Sequence, residues 1–256
     1  MPANEANWAP RLSRESSRYN TVIPDYDRRP DVYSRTWILL EWVGTRKRVL
    51  ELGCSTGYMS RYMTQKRDCS VTGIEVDAAA AAQAGEYCRE ILVRDLNRLG
   101  WTLGLPKRAF DVILMGDVLE HLVDPPQVLI QTRALLDSNA SLVICLPNVV
   151  HWSTRLKILF GRFDYESIGT LDHTHLRFYT VKTAREMIES AGYRITKFHP
   201  AIGGRLSGHA RPVWQTLARW FPGVFAFQLL YEAIPLERDS GVQIVNGRNI
   251  GHIGTA

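Results

Sequence analysis

The sequence predicts an α/β fold, an open and mostly parallel sheet wrapped by helices, and three observations carry that expectation. Short runs dense in Val, Ile and Leu alternate with helix-forming stretches through the middle of the chain. One such run opens directly into a glycine-bearing turn, Gly53-Cys54-Ser55-Thr56-Gly57. An acid, Glu75, closes the next run. At 256 residues, 45% hydrophobic and 22% charged, the chain has material for one large domain and a core of ordinary size.

The elements follow in order. Val32 to Val43 sets Trp37, Leu40 and Val43 on one helical face, an amphipathic helix expected to lie against the sheet or over its ligand cleft. Strands are expected at Arg48 to Leu52, Ser70 to Val76, Ile91 to Val93, Phe110 to Met115 and Ala140 to Leu146, each apolar enough to be covered on both faces. Helices are expected between them at Tyr58 to Gln65, Ala78 to Ala84 and Pro125 to Leu136, the last with proline suited to a first turn. Right-handed crossovers follow. Further on come a helix at Thr180 to Ala191 ended by Gly192, a strand at Arg194 to His199, a helix at Pro212 to Phe221 and a strand at Phe225 to Ala233. Residues 1–30 read as an arm, 31–236 as a single domain with a substrate-side insertion at about 148–180, and 237–256, with four glycines, as a tail.

Composition narrows the function classes. No apolar stretch reaches the ~18–20 residues of a membrane span. The first residues carry Glu5 where a signal peptide wants a cation, and no apolar region follows, so a cytoplasmic location is expected. Cys54, Cys69, Cys88 and Cys145 show no metal or redox spacing and are expected to be free thiols. The net charge is +5, but residues 49–149 carry 9 basic and 12 acidic side chains and residues 150–219 carry 11 and 5. The cations are scattered rather than packed in a run, which favours a solvated basic face or an anionic small molecule over nucleic acid, the solvated face first.

The strongest motif is Val49-Leu50-Glu51-Leu52-Gly53-Cys54-Ser55-Thr56-Gly57, a buried strand entering a turn and then a helix. Gly53 and Gly57 permit positive φ and close backbone approach, and the free amides at the next helix start favour an anionic group. Glu75 lies 22 positions after Gly53, where an acid accepts from ribose hydroxyls. Asp95, after the third strand, is placed to accept from an adenine amine. A dinucleotide turn would need glycines at 53, 55 and 58, and the chain has Ser55 and Tyr58.

From Val49 through Ala233 the chain resembles the class I S-adenosylmethionine-dependent methyltransferases. That resemblance implies a Rossmann-like, seven-stranded sheet of order 3-2-1-4-5-7-6 with the last run antiparallel. It implies S-adenosylmethionine as cofactor, held by Glu51, Gly53, Cys54, Ser55, Gly57, Glu75, Val76, Asp95, Leu96 and Asp117, with Glu51 orienting either the loop or the cofactor's amino group. Ser55 stands where the family more often has glycine. The block Phe110 to Leu122, ending Asp117-Val118-Leu119-Glu120-His121, is similar to small-molecule methyltransferases, including ubiquinone-pathway O-methyltransferases. In some of those the matching acids and histidine hold magnesium; no metal is expected here, because metal-free members share the pattern.

The segment after the fifth strand contains Pro147-Asn148-Val149-Val150-His151-Trp152 and Asp172-His173-Thr174-His175-Leu176-Arg177, and it is similar to methyltransferases of glycan and natural-product pathways. Three of the seven histidines fall in it. Methyl transfer needs alignment, water exclusion and, for a hydroxyl or ammonium acceptor, a proton acceptor, a task suited to histidine with its ordinary pKa of ~6.5. His175 is the first choice of base and His121 the second; His151, Trp152, His173 and Arg177 are the candidate acceptor contacts. The reading is methyl transfer to O or N of a small-molecule acceptor, sugar-like or a secondary metabolite, with homodimerisation left open. The alternative is a catalytically weak accessory protein that binds the cofactor and a partner enzyme. A base-flipping Asn-Pro-Pro-Tyr motif is absent, which disfavours nucleic acid.

Overall fold

A computed structural model describes residues 34–203 and 210–236. The arm at 1–30 and the tail at 237–256 lie outside the described residues.

In chain order the elements are α1 (Arg35–Val43), β1 (Arg48–Leu52), α2 (Tyr58–Arg67), β2 (Ser70–Glu75), α3 (Ala78–Ala84), β3 (Glu90–Val93), β4 (Phe110–Gly116), a 3₁₀ turn at Leu119–His121, α4 (Pro125–Thr132), β5 (Leu136–Pro147), α5 (Trp152–Leu159), α6 (Val181–Ser190), β6 (Tyr193–Ala201), α7 (Ala210–Trp220), α8 (Pro222–Phe225) and β7 (Gln228–Pro235). The strands form one seven-stranded sheet in the order β3-β2-β1-β4-β5-β7-β6. The first five are parallel, and β7 runs antiparallel between β5 and β6, pairing Leu146 with Leu229 and Pro200 with Leu229. The expected order is observed.

The strands read as continuous apolar runs because each face has its own cover. Leu50, Leu52, Ile113, Met115, Leu142 and Ile144 pack with α4 and α6 on one face. Val49, Val71, Val112, Leu114, Val143 and Cys145 pack with α1 and α2 on the other. Period-two alternation therefore splits one hydrophobic run between two cores. Each fully buried aliphatic side chain contributes ~1.5–3 kcal/mol of transfer free energy. Asp77 caps α3 through Ala80 N (2.7 Å), Asp124 caps α4 through Gln127 N (3.2 Å), and Thr180 with Thr183 forms a capping box on α6.

Three expected boundaries are corrected, and one helix is added. α4 stops at Thr132, not Leu136, since the Thr132 hydroxyl is engaged by Leu129 O (2.6 Å) and Tyr193 Oη (2.7 Å), while Leu136 pairs with Phe110 as the start of β5. β5 accordingly begins four residues ahead of Ala140, with a register shift between Phe110 and Val112. β7 begins at Gln228 rather than Phe225, because Pro222–Phe225 forms the short helix α8, whose carbonyl at Pro222 and the carbonyl of Ala226 accept from Asn148 Nδ2 (3.3 and 2.8 Å). The substrate-side insertion at about 148–180, in which no element is expected, contains α5.

Candidate active site

β1 delivers its acid and its turn to the carboxyl edge of the sheet. Gly53 N and Cys54 N both donate to Ile74 O (2.8 and 3.2 Å), which fastens the turn to β2. Gly57 has φ +80°, and a Cβ there would lie 2.7 Å from Ala84 Cα, so backbone packing against α3 demands glycine. Gly53 has φ +67°, with Val118 Cγ2 2.6 Å from where its Cβ would be. Ser55, the departure from the family pattern, adopts φ +50°, and its strained backbone is held by donation of its amide to Glu75 Oε2 (2.9 Å). No side chain caps α2 at Gly57, which leaves amides of its first turn available to an anion.

Three acids at the carboxyl ends of β1, β2 and β3 have different partners. Glu51 is fully buried; its Oε2 accepts from Ser60 Oγ, and its Oε1 has no protein partner. Burial pushes its pKa up to about 8, against the opposing pull of the Ser60 hydrogen bond. Glu75 Oε1 accepts from Val76 N (2.8 Å) and Asp77 N (3.0 Å). With Ser55 N on Oε2, three of the carboxylate's roughly four acceptor directions are taken and one, on Oε2, is open. Asp95 Oδ1 accepts from Asn97 N (2.9 Å). Val76 is 64% exposed beside Glu75, Leu96 is buried beside Asp95, and Cys54 is buried behind the turn with its thiol kept protonated by a hydrogen bond with Cys88 and by burial.

The β4 edge contributes a second group. Asp117, at φ +58°, is held by Arg35 of α1 (2.9 Å) and by Gln228 Nε2 of β7 (2.8 Å). Glu120 is buried, its Oε2 is unpartnered, and burial followed by repulsion from Asp117 raises its pKa well above the ordinary carboxylate range. The Glu120 carbonyl accepts from Leu176 N (2.8 Å) and Arg177 N (3.0 Å), so the β4 turn is stitched to the 170–177 loop.

That loop is built by Asp172, which is buried and accepts from Thr174 N (2.9 Å) and Thr174 Oγ1 (2.8 Å). The turn brings His175 onto His121, with ring centroids 4.8 Å apart at 70°. His175 Nδ1 lies 3.2 Å from Thr170 O, and His121 Nδ1 lies 3.2 Å from Thr174 O and 3.1 Å from Thr174 Oγ1. A carbonyl oxygen only accepts, so each Nδ1 carries the proton and each Nε2 presents a lone pair. Burial, then the neighbouring His175, lowers the His121 pKa. Glu120, His121 and His175 offer ligand atoms all within 4.8 Å of one another. Asp117, the other acid of the Asp-x-x-Glu-His pattern, is tied to Arg35 and Gln228 instead.

The expected acceptor contacts are less gathered. His173 is on the outer side of the loop, exposed, with Nδ1 3.3 Å from Glu166 O. Arg177 donates to Val123 O (2.6 Å) and lines an open groove of about 600 Å³ with Asp124, Pro125 and Tyr179. Trp152 stacks on Trp214, centroids 6.1 Å apart. His151 is the N-cap of α5, accepting from Ser153 N (3.4 Å), and packs edge-on against Phe227. Burial lowers its pKa to about 4. Because the folded value lies below the unfolded one of ~6.5, the neutral ring stabilises the fold above that pH, and stability falls as pH drops from ~6.5 toward 4. Denaturant titrations are expected to show a His151-dependent loss of ~2 kcal/mol at pH 5 relative to pH 7.5, absent in His151→Asn, which keeps a capping oxygen. An equal pH loss in both proteins refutes this.

Arg35, Ser60, Asp172 and Gln228 were not singled out in the sequence. Gln228 had a signal, a lone amide inside the apolar run Phe225 to Ala233, and so did Asp172, two positions before a threonine. Arg35 had none, since its pairing with Asp117 crosses 82 positions of chain.

A family model described as a methyltransferase domain matches residues 27–197. A ubiquinone biosynthesis O-methyltransferase of Histophilus somni is 30% identical over 141 residues, 52% of this chain and 59% of that protein. One of Aeromonas salmonicida is 25% identical over 165 residues, 60% of this chain and 68% of that protein. The match to the first thus spans less than two thirds of its length. Among solved structures, an S-adenosylmethionine-dependent methyltransferase from Mesorhizobium loti superposes with a TM-score of 0.53 over 78% of this chain and 97% of the other at 14% identity, a likeness of fold.

Proposed function

The chain belongs to the methyltransferase-domain family, and on that premise we propose that it transfers the methyl group of S-adenosylmethionine to an oxygen or nitrogen of a small-molecule acceptor, with His175 as general base. The observation that carries this reading is the convergence, at one sheet edge, of the Gly53–Gly57 turn and a histidine pair whose Nε2 atoms are free to accept a proton.

The residues present fit the cofactor. The buried, unpartnered Oε1 of Glu51 suits an ammonium group, the uncapped start of α2 suits a carboxylate, and the open direction on Glu75 Oε2 suits a ribose hydroxyl. Asp95 and Leu96, with Val76, offer an acceptor and apolar walls for an adenine. When bound, the cofactor supplies a sulfonium methyl for in-line displacement. The chain's part is alignment and proton removal: the loop 170–177 is docked on the Glu120 carbonyl, His175 packs edge-on against His121, and His175 would take the proton. Asp117, fixed by Arg35 and Gln228, ties α1 and β7 to the β4 turn and so shapes the acceptor side. The names of the ubiquinone-pathway relatives and the basic 150–219 segment support a small, anionic acceptor.

Calorimetry is expected to show binding of S-adenosylmethionine and S-adenosylhomocysteine and none of NAD. Incubation with candidate acceptors is expected to add one methyl by mass spectrometry. Absence of binding of either adenosyl ligand overturns the proposal, whereas binding without transfer to any acceptor favours the accessory-protein reading. The closeness of Glu120, His121 and His175 supports a second reading, in which they hold a metal. Dialysis against a chelator separates the two: turnover within about twofold is expected for a base, and loss restored by a divalent ion identifies a metal.

A further inference from the structure

Gly73 stands in the middle of β2 with an ordinary strand backbone, so its missing side chain serves space and not conformation. A Cβ there would lie 2.9 Å from Cys54 Sγ and 3.1 Å from Cys88 Sγ. The two sulfurs share the hollow that the glycine leaves, and they are hydrogen-bonded to each other. One arrives from the Gly53–Gly57 turn and the other from the segment between α3 and β3. Cys54 is buried, whereas Cys88 is half-buried. The hydrogen bond from Cys54 holds the Cys88 thiol below its ordinary pKa, against the opposing effect of burial. Cys88 Sγ also lies 3.4 Å from Ser60 Oγ, whose hydroxyl is donated to Glu51. The pair therefore touches the cofactor turn at Cys54 and its buried acid through Ser60.

We propose that Cys54 and Cys88 are a peroxide-modified site, forming a reversible disulfide that withdraws the cofactor turn from use; this rests on the cofactor assignment made above. The Cys88 thiolate attacks one oxygen of hydrogen peroxide, the O–O bond breaks, and the departing hydroxide takes a proton to leave as water. Cys88 is then a sulfenic acid. The Cys54 sulfur attacks Cys88 Sγ, the S–S bond forms, the S–O bond breaks, and the Cys54 proton leaves with the hydroxyl as a second water. Two thiols have lost two electrons and the peroxide has gained them. Exposure divides the labour: the half-buried, more acidic sulfur meets the peroxide and its buried neighbour resolves the product.

A bond of ~2.05 Å replaces a hydrogen-bonded sulfur contact, which draws Cys54 toward Cys88. The turn has no slack to absorb this. Gly53 abuts Val118, Gly57 abuts α3, and Cys54 N is fastened to Ile74 O (3.2 Å). The displacement passes to Ser55 and the first amides of α2, the groups offered to the cofactor. By linkage, bound cofactor opposes the disulfide by the same factor.

The test treats the reduced full chain with hydrogen peroxide, alkylates it with iodoacetamide in denaturant and maps its peptides by mass spectrometry. A peptide cross-linked between Cys54 and Cys88 is expected, with Cys69 and Cys145 alkylated. By calorimetry, S-adenosylhomocysteine affinity is expected to fall at least about tenfold in the cross-linked chain and to return with dithiothreitol. Saturating S-adenosylhomocysteine is then expected to raise the reduction potential of the pair by at least ~30 mV, the equivalent of tenfold for two electrons. Cys88→Ala, with its own untreated affinity as reference, is expected to give no cross-link and no change on peroxide treatment. Recovery of Cys54 and Cys88 as alkylated thiols or as sulfinic acids overturns the proposal. So does a cross-link that leaves affinity within about twofold, or an equal loss of affinity in peroxide-treated Cys88→Ala. A reduced chain that binds no adenosyl ligand overturns the cofactor assignment and the effect on binding with it, while the peptide map decides the bond by itself.

Discussion

Replacing His175 by alanine is expected to lower turnover by ~10²- to 10⁴-fold while S-adenosylhomocysteine affinity changes by less than about twofold, because proton abstraction belongs to the transition state and not to cofactor binding. The structure gives the reason for preferring this histidine. Its Nδ1–H is spent on Thr170 O, which fixes the tautomer, and its backbone amide is spent on Asp172 O (3.0 Å), which fixes the loop. His121 has the same tautomer but is committed to Thr174 through both the carbonyl and the hydroxyl, and burial lowers its pKa. His121→Ala is therefore expected to cost less than His175→Ala. Near-full turnover in both variants, measured with the true acceptor, removes the base from the mechanism and leaves alignment alone.

Glu75→Ala is expected to weaken S-adenosylmethionine binding by about 1.5–3 kcal/mol, the range for hydrogen bonds to a charged group. Glu75 has two tasks, however. Its carboxylate accepts three backbone amides, Ser55 N among them, so alanine removes a ligand contact and also releases the strained turn. Glu75→Gln separates these. One amide oxygen still serves Val76 and Asp77, but the second acceptor is replaced by a donor facing Ser55 N, so a loss close to that of alanine is expected if the Oε2 side matters. An affinity unchanged in both variants, by calorimetry, refutes the ribose assignment.

The cofactor side of the site was legible because its parts are local. Glu51, Gly53 and Gly57 lie within seven positions, and their spacing with Glu75 is set by one strand-turn-helix-strand unit whose length is fixed by the sheet itself. The base was legible only as a set of candidates. His121, His151, His173 and His175 are alike as letters. Their separation into a helix cap, a surface residue and a facing pair depends on Asn148, Asp172 and the Glu120 carbonyl, contacts made across as many as 78 positions.

The same division runs through the fold. Apolar runs buried on both faces, glycine turns and proline-started helices specify a parallel α/β sheet from local pattern, and resemblance supplies its order and its reversed last strand; all of these are observed. What local pattern does not encode is where competing hydrogen bonds end an element. Leu136 is helix or strand according to whether Phe110 is beside it, and Phe225 is strand or helix according to whether Asn148 reaches the carbonyls of Pro222 and Ala226. Nor does the pattern of α5 say which way its apolar stripe turns, since periodicity gives a face but not its neighbour. Burial is a property of the assembled layers, and it leaves Leu159 and Phe160 in solvent while drawing Glu51 and Glu120 into the interior.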